Sequence, residues 1–178
     1  MMLLIALLFI SGVLGTGIEE ILDYVYGEDP ERPVCKPVTG GTPVFTCNNE
    51  TIPILKISSF HMSQHPMKPG AVDLDLVAKL TRTIEKGATL QLQSFKGKNT
   101  PIFNGTLDLC EAVEFASYHC PVKPWEAFDR IQQTMEVPDD VPTNSYSFLA
   151  TALTKKGELI ARVAASIKID NELVKEEL

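Results

Sequence analysis

Apolar and polar residues alternate over most of the chain in short segments divided by Gly and Pro. Alternation with a period of two places one set of side chains on one face of a half-buried strand. The cleanest instance is Val72, Leu74, Leu76, Ala78 and Leu80, on every second position of the segment 71–80. Ala88, Leu90 and Leu92 repeat the pattern, Phe103, Leu107 and Leu109 form a return strand, and Ile131, Met135 and Val137 form another. Residues 52–62 precede these, while 145–154 and 158–169 flank Lys155-Lys156-Gly157, a tight hairpin signal that puts Leu159, Ala161, Val163, Ala165 and Ile167 on one face of the last strand. Such strands at regular spacing predict an all-β fold, an immunoglobulin-like β-sandwich of about seven antiparallel strands. Upstream, Ile18, Ile21, Leu22 and Val25 show a short helical pattern, followed by acidic, Pro-rich sequence, so residues 16–46 are expected as a leader or N-terminal arm and 170–178 as an acidic C-terminal tail.

A plain immunoglobulin domain bridges its sheets with cysteines in the second and sixth strands and packs a Trp on the bridge. Here the segment 71–80 has no cysteine, and Trp125 lies in the connection 121–128. Sheets without such a staple are free to separate around an apolar cavity, or to pack as an ordinary core.

Residues 1–14 read MMLLIALLFISGVL, too short to span a bilayer with the usual ~20 residues. Val13 and Gly15 supply small residues for a cut after Gly15, so residues 1–15 are expected to be a signal peptide. Secretory entry makes disulfides expected for the four cysteines, and Cys110 and Cys120 enclose a loop short enough to pin a strand connection. No C-x-x-C pair seeds a zinc site, and Pro66 breaks the helix that His61 and His65 would need to chelate a metal together. What remains after cleavage suits one domain. The net charge of −7, without a Lys/Arg cluster, disfavours nucleic acid. Asn49 and Asn104 head N-glycosylation sequons. No H-E-x-x-H or G-x-S-x-G occurs, and Asp73 and Asp75 alternate with core positions and should face solvent, so a non-enzymatic role without cofactor is expected. The ending Lys175-Glu176-Glu177-Leu178 approaches the K-D-E-L retrieval signal and equally suits a plain acidic tail. The expected destination is the secretory pathway: secreted, or an endomembrane lumen, lysosome- or vacuole-like, or the ER if that ending is a retrieval signal.

The run 57–63, ISSFHMS, through 66–70, PMKPG, resembles the opening of the ML lipid-recognition family. Leu107-Asp108-Leu109-Cys110-Glu111, Cys120-Pro121-Val122, Met135-Glu136-Val137-Pro138 and Val141-Pro142 are similar to that family's later landmarks, in order, as found in soluble sterol carriers and fungal phosphatidylglycerol/phosphatidylinositol transfer proteins. The resemblance covers about residues 47–169 and implies a sandwich holding one lipid, a sterol or phospholipid, between its sheets. It implies as partners a transiently touched membrane and a membrane-bound lipid acceptor protein, with the carrier a monomer. The alternative is a recognition or adaptor module that acts through a protein receptor without transport. The resembled sterol carriers tie an N-terminal cysteine to the final strand, which here has none, so the family pattern leaves Cys47 to pair with Cys35, and Cys110 with Cys120. The expected pocket residues are Leu74, Leu76, Leu90, Leu92, Phe103, Leu107, Ile131, Met135, Phe148 and Val163, each also suited to an ordinary core. Phe115, Tyr118 and Val122 are expected at the pocket mouth, Tyr118 being equally suited to packing over the disulfide. Lys96 and Lys98 are candidates for a phosphate headgroup or for plain solvation.

Overall fold

The computed structural model describes residues 22–23, 25–26, 32–41, 43–48, 52–97, 100–114, 116–125 and 129–171. The expected signal peptide, Asn49, Lys98, Phe115 and residues 172–178 of the tail lie outside them.

Among the described residues, 22–23 and 25–26 are helical, and the chain goes on through β1 (Cys35–Pro37), β2 (Val44–Cys47), β3 (Leu55–Met62), β4 (Gly70–Leu80), β5 (Thr89–Lys96), β6 (Thr100–Asp108), the short helix α1 (Leu109–Glu114), β7 (Ile131–Val137), β8 (Asn144–Leu153) and β9 (Leu159–Ile169). The strands build a six-stranded sheet, β1-β2-β9-β8-β5-β6, and a three-stranded sheet, β3-β4-β7, with antiparallel pairing throughout. The seven expected strands are all present, and two more lie in the stretch expected as an arm. β1 and β2 have three and four residues, too short to display a period of two. They are held by the Cys35–Cys47 disulfide, whose cysteines are register partners, and by the pairing of β2 with β9.

Two local expectations are corrected. Leu109 begins α1 instead of ending a strand, because the Asp108 carboxylate accepts hydrogen bonds from the backbone N–H groups of Cys110 (2.7 Å) and Glu111 (3.3 Å) and so caps a helical turn. In β9 the register shifts so that Ala152 faces Ala161 and Leu153 faces Leu159, leaving Ile160 as an extra residue. Ile160 is therefore buried in the core, while Leu159, expected on the core face, stays partly exposed.

The inner faces of the two sheets merge into one apolar cluster that includes Phe60, Met62, Val72, Leu80, Ala165, Ile167 and Ile169. β8 is buried at eight consecutive positions, which requires cover on both faces of the larger sheet. The outer cover is a second cluster, in which Leu22, Val25 and Tyr26 pack with Phe45, Cys47, Phe95, Leu149 and Ala164.

Candidate functional site

Main-chain hydrogen bonds seal the sandwich along one side, and among the described residues none is formed along the other. On the sealed side the backbone N–H of Ile54 donates to Leu159 (3.2 Å), that of Phe60 to Thr39 (2.8 Å) and that of Met67 to Lys168 (2.7 Å), stitching β3 and the turn after it to the β1–β2 turn and β9. The opposite side is formed by β6, the edge of the larger sheet, and β7, the edge of the smaller one. Among the described residues no main-chain bond joins β6 to β7.

Register decides which side chains look into this slot, because cross-strand partners share a face. On the smaller sheet Val72 pairs with Met135, Leu74 with Gln133 and Leu76 with Ile131. On the larger sheet Leu90 pairs with Leu107, Leu92 with Gly105 and Ser94 with Phe103, while on the other side of β5 Leu92 faces Ala150 and Ser94 faces Phe148. Leu74, Leu90, Leu92, Met135 and Phe148 are buried in the shared core, and Leu76, Phe103, Leu107 and Val163 are partly buried against it. Ile131 is half-buried in register with Leu76. Nine of the ten residues expected to line a pocket thus lie on β4 to β8, around the unsealed slot, whereas Val163 lies further in, on β9 opposite Ala150.

Gln133, Gly105 and Ser94 also belong to the slot and were not expected there. Gln133 falls on the period of Ile131 and Met135, and Ser94 continues that of Leu90 and Leu92, so period two carried the signal and their polarity concealed it. Gly105 leaves room that the Phe103 ring uses: a Cβ built on Gly105 would lie 2.8 Å from Phe103 Cζ.

The connection from β6 to β7 closes one end of the sandwich. It is tied by the Cys110–Cys120 disulfide and by reciprocal backbone bonds between Ile84 and Val122 (2.9 and 3.0 Å). Tyr118 is half-buried against the core. Val122, expected at the pocket mouth, is 1% exposed, its backbone paired with Ile84 under the connection. Trp125 is 78% exposed, with Lys123 Nζ 5.6 Å from its ring centroid. Lys96 ends β5 half-buried, and Asn104 is exposed on β6.

Outside the slot the smaller sheet is braced by charge. Arg130 Nε donates to both oxygens of the Asp75 carboxylate (2.9 and 3.2 Å), and Thr134 Oγ1 donates to Asp73 Oδ1 (2.6 Å). The Arg130 hydrogen bond holds the Asp75 carboxyl below the usual carboxylate range, and Arg130 is raised in return. Among the described residues no group of three or more His, Cys, Asp or Glu side chains is placed to hold a metal ion.

A surface groove of about 510 Å³ lies elsewhere, at the β8–β9 hairpin, lined by Ile52, Leu153, Leu159, Arg162 and the Arg82–Glu158 ion pair (3.1 Å). An acyl chain there would lie against three charged side chains, Arg82, Glu158 and Arg162, in a groove on the surface of the protein. The slot is the better candidate.

The phosphatidylglycerol/phosphatidylinositol transfer protein of Candida albicans is 29% identical over 133 residues, which cover 74% of this chain and 68% of that protein. That of Aspergillus fumigatus is 28% identical over 125 residues, covering 70% of each. Among solved structures, a Niemann-Pick type C2 protein from Japanese carpenter ant matches with a TM-score of 0.44 and 15% identity over 69% of this chain and 98% of that one. Chicken MD-1 complexed with lipid IVa matches with a TM-score of 0.44 and 12% identity, over 79% and 96%. The family model described as ML domain matches residues 41–169, from just before β2 to the last residue of β9, and the chain belongs to the ML domain family.

Proposed function

We propose that this chain is a non-enzymatic lipid carrier that holds one glycerophospholipid between its sheets and exchanges it with membranes. The observation that carries the reading is the apolar slot left without main-chain closure between β6 and β7. Seating an acyl chain there from water gains about 0.8 kcal/mol per CH₂, whereas taking it from a bilayer gains almost nothing, so loading and unloading run near balance. A phospholipid is favoured over a sterol by the names of the sequence relatives, which are phosphatidylglycerol/phosphatidylinositol transfer proteins. The exposed Trp125, backed by Lys123, is assigned the transient bilayer contact, an aromatic with one apolar and one polar end being suited to the interface. The carrier works as a monomer, in the secretory pathway, a compartment that the two disulfides suit.

The test is native mass spectrometry of protein purified from its secretory compartment, with transfer of labelled phosphatidylglycerol and phosphatidylinositol between vesicles. A bound phospholipid and transfer above the spontaneous rate are expected. A lipid-free protein that takes up neither phospholipid nor sterol sinks the carrier reading and leaves an adaptor acting through a protein receptor.

A further inference from the structure

We infer that Ser94 receives an ester carbonyl of the bound glycerolipid, and that the ring of Phe103 is the displaceable cover over that position. This rests on the carrier reading and deepens it.

Ser94 is 1% exposed, and its hydroxyl has no hydrogen-bond partner. It follows Leu90 and Leu92 on the inner face of β5, with Phe103 opposite on one side and Phe148 on the other, so the hydroxyl is set among aromatic and aliphatic groups. An unmade hydrogen bond in such surroundings is costly, and buried hydroxyls are therefore normally satisfied. Ser147 is buried and unpartnered as well, but it alternates with Phe148 and lies on the opposite face, so it has no bearing on the slot.

The place of Ser94 in the sheet selects the chemistry. β5 is one strand in from the open edge strand β6, a step of roughly 4.8 Å. A diacyl lipid entering tails-first at that edge buries its chains against Leu92, Phe148 and Leu74 and leaves its headgroup in water. Its ester carbonyls then fall at the lip, one strand deep. A carbonyl oxygen accepts from the one donor that a serine hydroxyl has. Phe103 stands between Ser94 and the edge, half-buried, its ring folded over Gly105, where any side chain would displace it. A half-buried ring resting on a glycine is suited to swing aside and admit the ligand.

The test compares diacyl phosphatidylglycerol with its dialkyl-ether analogue, which keeps the headgroup and chains and lacks the carbonyls, in competition for uptake from vesicles. The native protein should prefer the diester about five- to tenfold, the worth of one net hydrogen bond. Ser94→Ala should bring the two lipids to near parity while the lipid-free protein melts no lower than the native one, because the variant removes an unsatisfied group. Gly105→Ala, which forces the Phe103 ring from its rest, should speed exchange of both lipids without changing the ester preference. Equal uptake of diester and diether by the native protein, or equal weakening of both by Ser94→Ala, overturns the assignment even if the carrier reading stands. A sterol that outcompetes the diester and loses that advantage in Ser94→Ala assigns the hydroxyl to a sterol and overturns it too. If the native protein takes up no lipid at all, the carrier reading fails and the inference fails with it.

Discussion

Replacing Cys110 and Cys120 together by Ser removes a covalent link across ten positions of sequence without taking a side chain from the centre of the core. Where a disulfide acts by restricting the unfolded chain, a loop of this size contributes about 2.7 kcal/mol. The native connection keeps other ties: the Ile84–Val122 pair of backbone bonds and the bond from Leu109 N–H to Ala88 (2.9 Å). The variant should therefore fold to the same structure and lose only the unfolded-state term. With an unfolding entropy of about 2.1 cal/mol/K per residue over residues 33–171, that is a fall in Tm of about 9 °C. Scanning calorimetry of the lipid-free protein reads the shift, and release of a fluorescent phospholipid at 25 °C reads the functional consequence. Release should quicken while near-ultraviolet circular dichroism stays native, because the connection packs Val113 and Tyr118 on the core at the end of the slot. An unchanged Tm refutes the entropic reasoning, since it means that the unfolded loop was not restricted by the bridge. Loss of cooperative unfolding refutes the other half, the claim that the Ile84–Val122 and Leu109–Ala88 bonds hold the connection without the bridge.

Further outcomes follow from single sites. Gly40 has a φ of 131°, and a Cβ there would lie 2.0 Å from the Phe60 carbonyl oxygen. Gly40→Ala should therefore break the Thr39–Phe60 seal and cost more than about 3 kcal/mol, read by urea unfolding. Buried Asn171 donates through Nδ2 to the Asp139 and Val141 carbonyls, both at 2.8 Å. Asn171→Ala strands both acceptors and should cost about 2 to 3 kcal/mol by the same measurement. The Asp75 carboxyl, held low chiefly by the Arg130 hydrogen bond, contributes stability above the ordinary carboxylate pKa that is lost as pH falls through its lowered folded value. Arg130→Gln should raise the Asp75 pKa in a carboxyl NMR titration, and an unmoved titration rules out the pairing. His65 is held below its ordinary value first by burial and then by Lys168, so its neutral form is favoured in the fold. Its contribution is complete above about pH 6.5 and fades as pH falls through the lowered folded value, and His65→Gln should flatten that part of the stability–pH curve.

Alternation of apolar residues, with the hairpin signal after β8, is enough to assign β3 to β9, since burial of one sheet face leaves a mark at every second position, most clearly in Val72 to Leu80. The same periodicity named nine residues that the fold gathers on the strands around the slot, and the cysteines, set against the family pattern, named both disulfides. It failed where local chemistry competed with it. Asp108 turned a strand end into a helix cap, the extra residue Ile160 reversed the facing of its neighbours, and β1 and β2 were too short to show any period. Period also says nothing of what opposes a face. That Leu22, Val25 and Tyr26 cover the outer side of the larger sheet depends on contacts distant in sequence. So does the burial of Val122 beneath the Ile84 pair. Which edge of the sandwich lacks main-chain closure is set by where β3, β6 and β7 fall in the strand order, a property of the assembled sheets alone. By itself, then, the sequence determined β3 to β9 and most of their inward faces, because these follow from neighbours along the chain, and it named the cysteine pairs once they were set against the family pattern. The tertiary structure alone decided that β6 and β7 go unjoined and that the Ser94 hydroxyl lies one strand behind them, because hydrogen-bond closure and burial depend on what the rest of the chain brings near.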